Sequence, residues 1–398
     1  MKPLEGVRVL DLTRVLAGPY CTALLADLGA TIVKIEPPHG DDYRHVGPFE
    51  NGESALFLLN NRGKQSIAID LKTAQGLDVA LKLACGADVV VENFRPGVAD
   101  RIGLGPETLR SRRPELIYCS ISGFGQDGPL RDQPAYDLVV QAMSGLMAAT
   151  GEEGGAPLKV GESIADLVGG LFASWSIMAA LVARGRTGEG ATLDVSMHDA
   201  LFSMLTTSHA QNFYGGVLPE RVGNRHPLST PFGCYATKDG QVAVAVLNAR
   251  QFDRFAALIG QPGLGADPRF ATDKARTRNE PALKAMIEAW SRPLDTEAAL
   301  VALEAAEIPA APIRDIREAG GSDHARHRAL VQDLDHARLG PRPVVGQPVR
   351  FDGAKPVADR AAPLLGTDAN ALLQRLCGMD AEDVAALMSA GVLKEASR

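Results

Sequence analysis

The first 200 residues are punctuated by short β-branched runs without polar alternation: "VRVLDL" (7–12), "TIVKIE" (31–36), "SIAIDL" (66–71), "DVVVEN" (88–93) and "LIYCSIS" (116–122). A strand with one wet face alternates apolar and polar residues, so runs apolar throughout are covered on both faces. Helical patterns lie between them. In "GPYCTALLADLG", Pro19 suits the first helical position and Gly29 a C-cap, and "GLDVALKLACG" follows the next strand. Strands alternating with helices predict a parallel sheet of the α/β class.

Pro and Gly gather in the connections. "PPHGDDYRHVGPFENGES" (37–54) and "TGEEGGAP" (150–157) read as long polar loops. After about residue 225 the pattern changes. "FGCYATKDGQVAVAVLN" reads as a hairpin turning at Asp239-Gly240, and "PALKAMIEAW" and "EAALVALEAA" as helices. The tail from about 312 is rich in Pro and Arg and ends in amphipathic helical patterns near 368–376 and 380–392. A chain of 398 residues with this shift in character suits two domains.

The formal net charge of −7 argues against nucleic acid or an anionic membrane as the main partner. Cys21, Cys85, Cys119, Cys234 and Cys377 are scattered and never form CxxC, as expected of a reduced cytoplasmic chain with no disulfide framework and no metal site. "MKPLEGVRVLDL" lacks the layout of a signal peptide. The apolar run from Ile164 to Ala183 is long enough to span a membrane, yet it carries Asp166, Gly169 and Gly170. A buried helix of a large soluble enzyme is the expectation.

"GFGQDG" (123–128) matches GxGxxG behind a strand, but "PLRDQPAYD" follows where a helix would have to open. It reads as a loop and not as a dinucleotide site. The histidines of "DHARHRALVQDLDH" (323–336) alternate with arginine and acid, which fits a solvated helix face better than a metal site. HExxH, GxSxG and the Walker pattern do not occur, which disfavours zinc hydrolase, serine hydrolase and P-loop chemistry.

Cations recur at the predicted strand ends: Arg14, Arg44, Arg62, Lys64, Lys72, Arg95 and Arg101, with Asn93 among them. The carboxyl ends of strands in an open α/β sheet face the ligand crevice, so this set suits a phosphate-bearing ligand. Taken singly, each is equally explained as surface charge. Asp166, in "GESIADLVGG", has two readings. It caps a helix entered through Gly161–Ala165, or it is a nucleophilic carboxylate in a dry site that backbone amides approach at Gly169 and Gly170. Either way it would meet helix N–H groups that keep it ionised. Spacing alone leaves both open.

Several stretches in order resemble the class III coenzyme A transferases, the formyl-CoA transferase and carnitine dehydratase/bile-acid-inducible (CaiB/BaiF) family. They include "PLEGVRVLDLTRVLAGPY", "LGATIVKIEPP", "NRGKQSIAIDLK", "VENFRPGVADRIGL", "SISGFGQDGP", "YDLVVQAMSGLMAATG", "PAAPI" and "APLLG". The likeness runs through nearly the whole chain and is strongest to the succinate–hydroxymethylglutarate (glutarate) type. It implies that Asp166 is the catalytic nucleophile, forming an aspartyl anhydride and then an aspartyl-CoA thioester. It implies CoA contacts at Leu16, Lys72, Asn93, Phe94, Arg95, Arg101 and Tyr136, with CoA as substrate and no tightly bound cofactor.

The resemblance also implies an interlocked homodimer whose subunits combine a Rossmann-like large domain with a smaller α+β domain. The large domain would take residues 1–225 and the return 316–398, the small one 226–315. Leu16 stands where formyl-CoA transferase has glutamine, Pro37 where it has arginine, and "RHPLSTPFG" where it has a glycine-rich loop. These departures count against formate–oxalate exchange. The expectation is a transfer between an acyl-CoA, such as succinyl-CoA, and a free dicarboxylic acid, with Arg14 and Arg44 holding the distal carboxylate. A 2-methylacyl-CoA racemase of the same family is the alternative, disfavoured because its histidine falls on Tyr136, a phenol with a reference pKa of about 10. A non-catalytic acyl-CoA-binding protein is a third reading.

Overall fold

The computed structural model describes residues 2–396, which form two compact units. The larger comprises the described residues of Met1–Ser144, Val160–Leu205 and Asp323–Arg398. Its seven-stranded sheet runs, edge to edge, Leu393–Lys394, Lys64–Ile69, Thr31–Glu36, Arg8–Asp11, Val89–Glu92, Ile117–Ser122 and Thr192–Ser196. Six strands are parallel and Leu393–Lys394 joins antiparallel. In chain order the parallel strands lie 3-2-1-4-5-6, the order of a dinucleotide-binding sheet.

The uninterrupted apolar runs are explained by cover on both faces. Leu10, Ile67, Ile69, Val90 and Tyr118 meet Val79 and Leu83 of helix Ala74–Cys85 and Leu372 and Leu373 of helix Ala369–Cys377. Val9, Ile32, Val89 and Ile117, whose side chains alternate with that set, are equally buried. Helices Ala17–Asp27 and Ile164–Thr187 pack on each other and on the sheet.

Two elements of this unit escaped the sequence patterns. Strand "TLDVS" (192–196) sits at a sheet edge and is only half buried, so it lacks an apolar run. The Pro- and Arg-rich tail forms a hairpin, Val331–His336 against Gly340–Val345, and only residues 323–328 of the histidine segment are helical.

The smaller unit, Gly145–Lys159 with Thr206–Ser322, carries a three-stranded antiparallel sheet over a core of Phe252, Phe255, Phe270, Leu283, Ile287 and Leu303. Its hairpin pairs Phe232–Ala236 with Gln241–Ala245 around the expected turn. The unit is wider than 226–315 because hydrogen bonds to the backbone knit distant stretches into it. Arg221 donates to the carbonyls of Ala148 and Gly155, and the Gly223 N–H to that of Gly151.

Helix Ile164–Thr187 is long and apolar enough to cross a membrane by composition. Ala165, Val168, Ala173 and Ile177 are buried in the fold, whereas Leu171, Trp175 and Val182 are exposed.

Candidate active site

Around strand Arg8–Asp11 the sheet order reverses, so the loops after Arg8–Asp11 and Val89–Glu92 diverge and leave a crevice. A pocket of about 150 Å³ lies there. Arg14–Ala17 follow the first of these strands, Asn93–Pro96 the second, and Gly123 and Met197 the next two. Tyr136 and Asp166 also line it. Asp166 thus faces the crevice where a ligand of this architecture binds.

The turn before helix Ala17–Asp27 is over-determined. Val15 has φ +69°, a left-handed conformation that costs a β-branched residue about 1–3 kcal/mol. Its N–H donates to Asp41 Oδ1 at 3.0 Å, and Lys34 Nζ donates to the Thr13 carbonyl at 2.6 Å. Lys34 also pairs with Asp41 at 2.9 Å, both side chains fully buried. Across the crevice the Asn93 side chain bonds both the N–H and the carbonyl of Arg14. Glu92, buried behind it, accepts the Phe94 N–H at 2.7 Å. Burial raises the Glu92 carboxyl to about 7.

Asp166 is the third residue of helix Ile164–Thr187, and Ser163 precedes the helix, so Asp166 does not cap it. The cap comes from elsewhere: Asp137 Oδ1 accepts the Ala165 N–H at 2.8 Å, and Oδ2 accepts from Gln141 at 2.7 Å. Among the described residues the Asp166 carboxyl has no hydrogen-bond partner. Burial, helped by the neighbouring Asp137 charge, raises its carboxyl to about 7. Of the helix N–H groups expected to hold it ionised, that of Ala165 is engaged by Asp137 and that of Leu167 by the Ser163 carbonyl.

Gly169 and Gly170 also serve a different end from the one expected. A Cβ on Gly170 would lie 2.5 Å from the Ala17 carbonyl, and one on Gly169 would lie 2.8 Å from Met197. They bring the helix close to its neighbours, which sets Asp166, one turn earlier, against the pocket.

The expected cations divide. Arg14 and Arg95 line the pocket with Leu16, Asn93, Phe94 and Tyr136. Lys72 and Arg101 are exposed, after strand Lys64–Ile69 and at the end of helix Val98–Arg101, outside that lining. Arg44 is not placed to hold a substrate carboxylate. It grips Glu36 through Nε and Nη2, both at 2.7 Å, donates to the Pro363 carbonyl and lies over the Phe57 ring. Arg62 is spent on Asp27 and Lys64 on Asp11, both inside the protein. Arg131, Asp132 and Asp42 join the pocket although no sequence pattern marked them. Arg131 and Asp132 sit in turns and Asp42 opens the short 3-10 turn Asp42–His45, where spacing carries no signal.

The "GFGQDG" segment is a loop, and two of its amides are taken: Gly125 N–H by Ser122 and Gln126 N–H by Asp194. Among the described residues no group of His, Cys, Asp and Glu is placed to hold a metal ion.

Residues 4–369 match the model of CoA-transferase family III. Succinyl-CoA:glutarate CoA-transferase of Mus musculus is 38% identical over 397 residues, covering 99% of this chain and 91% of that protein. Acetyl-CoA:oxalate CoA-transferase of Acetobacter aceti is 41% identical over 385 residues, covering 96% and 97% respectively. The crystal structure of a CaiB/BaiF family protein from Brucella suis superposes with a TM-score of 0.84 at 36% identity, over 94% of this chain and 99% of that one. With the crevice geometry, these likenesses make the chain a CoA-transferase of family III.

Proposed function

We propose that this enzyme moves CoA between a dicarboxylyl-CoA and a free dicarboxylate, with Asp166 as covalent carrier. The observation that carries it is Asp166 itself: a hydrogen-bond-free carboxyl lining the switch-point crevice beside arginines 14, 95 and 131. The chemistry balances without a net proton. An Asp166 carboxylate oxygen attacks the donor thioester carbon, the C–S bond breaks, and a mixed anhydride and CoA thiolate form. Thiolate attacks the aspartyl carbonyl of the anhydride, freeing the donor acid and leaving an aspartyl-CoA thioester. The acceptor carboxylate then expels thiolate to form a second anhydride. Thiolate takes the new acyl group and regenerates Asp166.

The arginines support a substrate with a second carboxylate, since guanidinium binds that group bidentately. Relatives named for glutarate, oxalate, mesaconate and citramalate point the same way. Leu16, Asn93, Phe94, Arg95 and Tyr136 are the proposed CoA contacts of the pocket, with Lys72 and Arg101 reaching the distal phosphates from outside it. Incubation of succinyl-CoA with a panel of mono- and dicarboxylic acids should yield new thioesters by mass from the dicarboxylates; transfer to monocarboxylates alone would overturn this reading. Exposed Leu171, Trp175, Val182, Phe202 and Met204 support a homodimer. Its mass in solution should be twice 42.0 kDa.

The pH dependence follows from Asp166. Its folded-state pKa is raised, to about 7, so the nucleophilic carboxylate forms only as the pH climbs through that value. The acidic limb of kcat/KM should fall there. Asp137→Asn removes the second cause while leaving an amide oxygen for the Ala165 N–H, and should move the limb to lower pH. A limb that stays in place would remove Asp137 from this role.

A further inference from the structure

The larger unit holds a second cavity, of about 370 Å³, that shares no lining residue with the Asp166 crevice. Helix Ala55–Asn60 gives it Leu58 and Leu59, and the tail hairpin gives it Leu334, His336, Arg342 and Val344. Leu334 and His336 share one face of their strand, and Arg342, paired with Leu334, and Val344 lie on the same face of the partner strand. The walls are mostly hydrocarbon, and the polar groups are an imidazole at the bottom and the Arg342–Glu50 pair at the rim.

His336 is the unexplained member. It is 2% exposed, and its Nδ1 accepts the Arg338 N–H, so the neutral ring carries its proton on Nε2. That Nε2 is buried and has no hydrogen-bond partner among the described residues. A buried donor without a partner costs about 1–3 kcal/mol, so it points to an acceptor supplied from outside the fold. The charges nearby select its sign. Arg338 and Arg44 are paired with Glu53 and Glu36, and the cation that lines the cavity, Arg342, favours an anion. Among the described residues Arg342 is engaged by Glu50, which is half exposed, and by its neighbour's backbone. A guanidinium held by an exposed carboxylate can exchange it for another.

We infer that this cavity is a binding site for a small aliphatic monocarboxylate, its carboxylate on His336 Nε2 and Arg342 and its chain between Leu58, Leu59, Leu334 and Val344.

The test is calorimetric titration of the full-length protein with hexanoate, with CoA present in excess to occupy the crevice. Hexanoate should bind saturably with a Kd on the order of 1 mM, as eight heavy atoms in a partly apolar site allow. Hexanamide should bind at least about tenfold more weakly. His336→Phe, which keeps the ring volume and removes the donor, should weaken hexanoate at least about tenfold. Should that variant fail to fold, Leu59→Trp at the open edge decides, because it fills the cavity without touching the donor. No saturable binding to the parent protein, or unchanged binding in the folded variants, overturns the site. So does a His336 imidazole ¹⁵N signal that moves with protein concentration and not with hexanoate, which would give the cavity to a second copy of the chain.

Discussion

Asp166→Ala is expected to lower CoA exchange by about 10⁴-fold or more, with acyl-CoA affinity within about threefold of the parent. The size follows from the proposed role. If the carboxylate carries the acyl group, its loss removes the covalent route entirely, and nothing else in the pocket lining combines a carboxylate with such burial. Affinity should hold because Asn93 and Phe94, two of the proposed CoA contacts, keep their own bonds. Asn93 is fixed by Arg14 and Phe94 by Glu92, neither through Asp166. Steady-state exchange of succinyl-CoA with glutarate gives the first quantity and equilibrium titration the second. Intact-mass analysis of the parent after mixing with succinyl-CoA should show an adduct that the alanine variant lacks. Turnover within tenfold of the parent in Asp166→Ala would end the covalent mechanism. Absence of both turnover and adduct in the parent would favour an acyl-CoA-binding protein.

The sheet was legible because its strands declare themselves. "TIVKIE" spans residues 31–36 in sequence and in structure, and every residue of "IYCSIS" is buried. What hid was whatever lacks a periodic apolar face: the edge strand 192–196 and the Pro-rich hairpin of the tail. The site was half legible. Of the strand-end cations, Arg14 and Arg95 line the pocket and the other five do not, because spacing does not say whether a cation faces a crevice or a buried acid. Arg14 lines the pocket and Arg44 is clamped by Glu36, although both follow strands. The capping of the Asp166 helix by Asp137 comes from 28 residues away in sequence, beyond any local rule. The same holds for Gly169 and Gly170, which look like openings in a helix and are instead packing points against Ala17 and Met197.

That distinction between internal and crevice cations gives the second large effect. Lys64→Met should destabilise the protein by about 3–5 kcal/mol in urea unfolding, because it strands the charge of Asp11 in the interior. Lys64 Nζ lies 2.9 Å from Asp11 Oδ2, both side chains fully buried, and also donates to Asn61 and the Pro19 carbonyl. Burial alone would raise the Asp11 carboxyl; the ammoniums of Lys64 and Lys34, with the hydroxyls of Thr13 and Thr22, override it and hold it at about 2. A carboxyl lowered from 3.8 to about 2 stabilises the fold above pH 3.8, and that stability drains as the pH falls through 2. Lys64→Met should therefore also unfold at higher pH in acid titration. The consequence reaches the crevice, since Asp11 Oδ1 accepts the Thr13 N–H and hydroxyl at the base of the strained turn through Val15. Adding Asp11→Asn removes the stranded charge and should restore much of the stability. A loss below about 1 kcal/mol in the single variant would show that the pair is not what holds this turn in place.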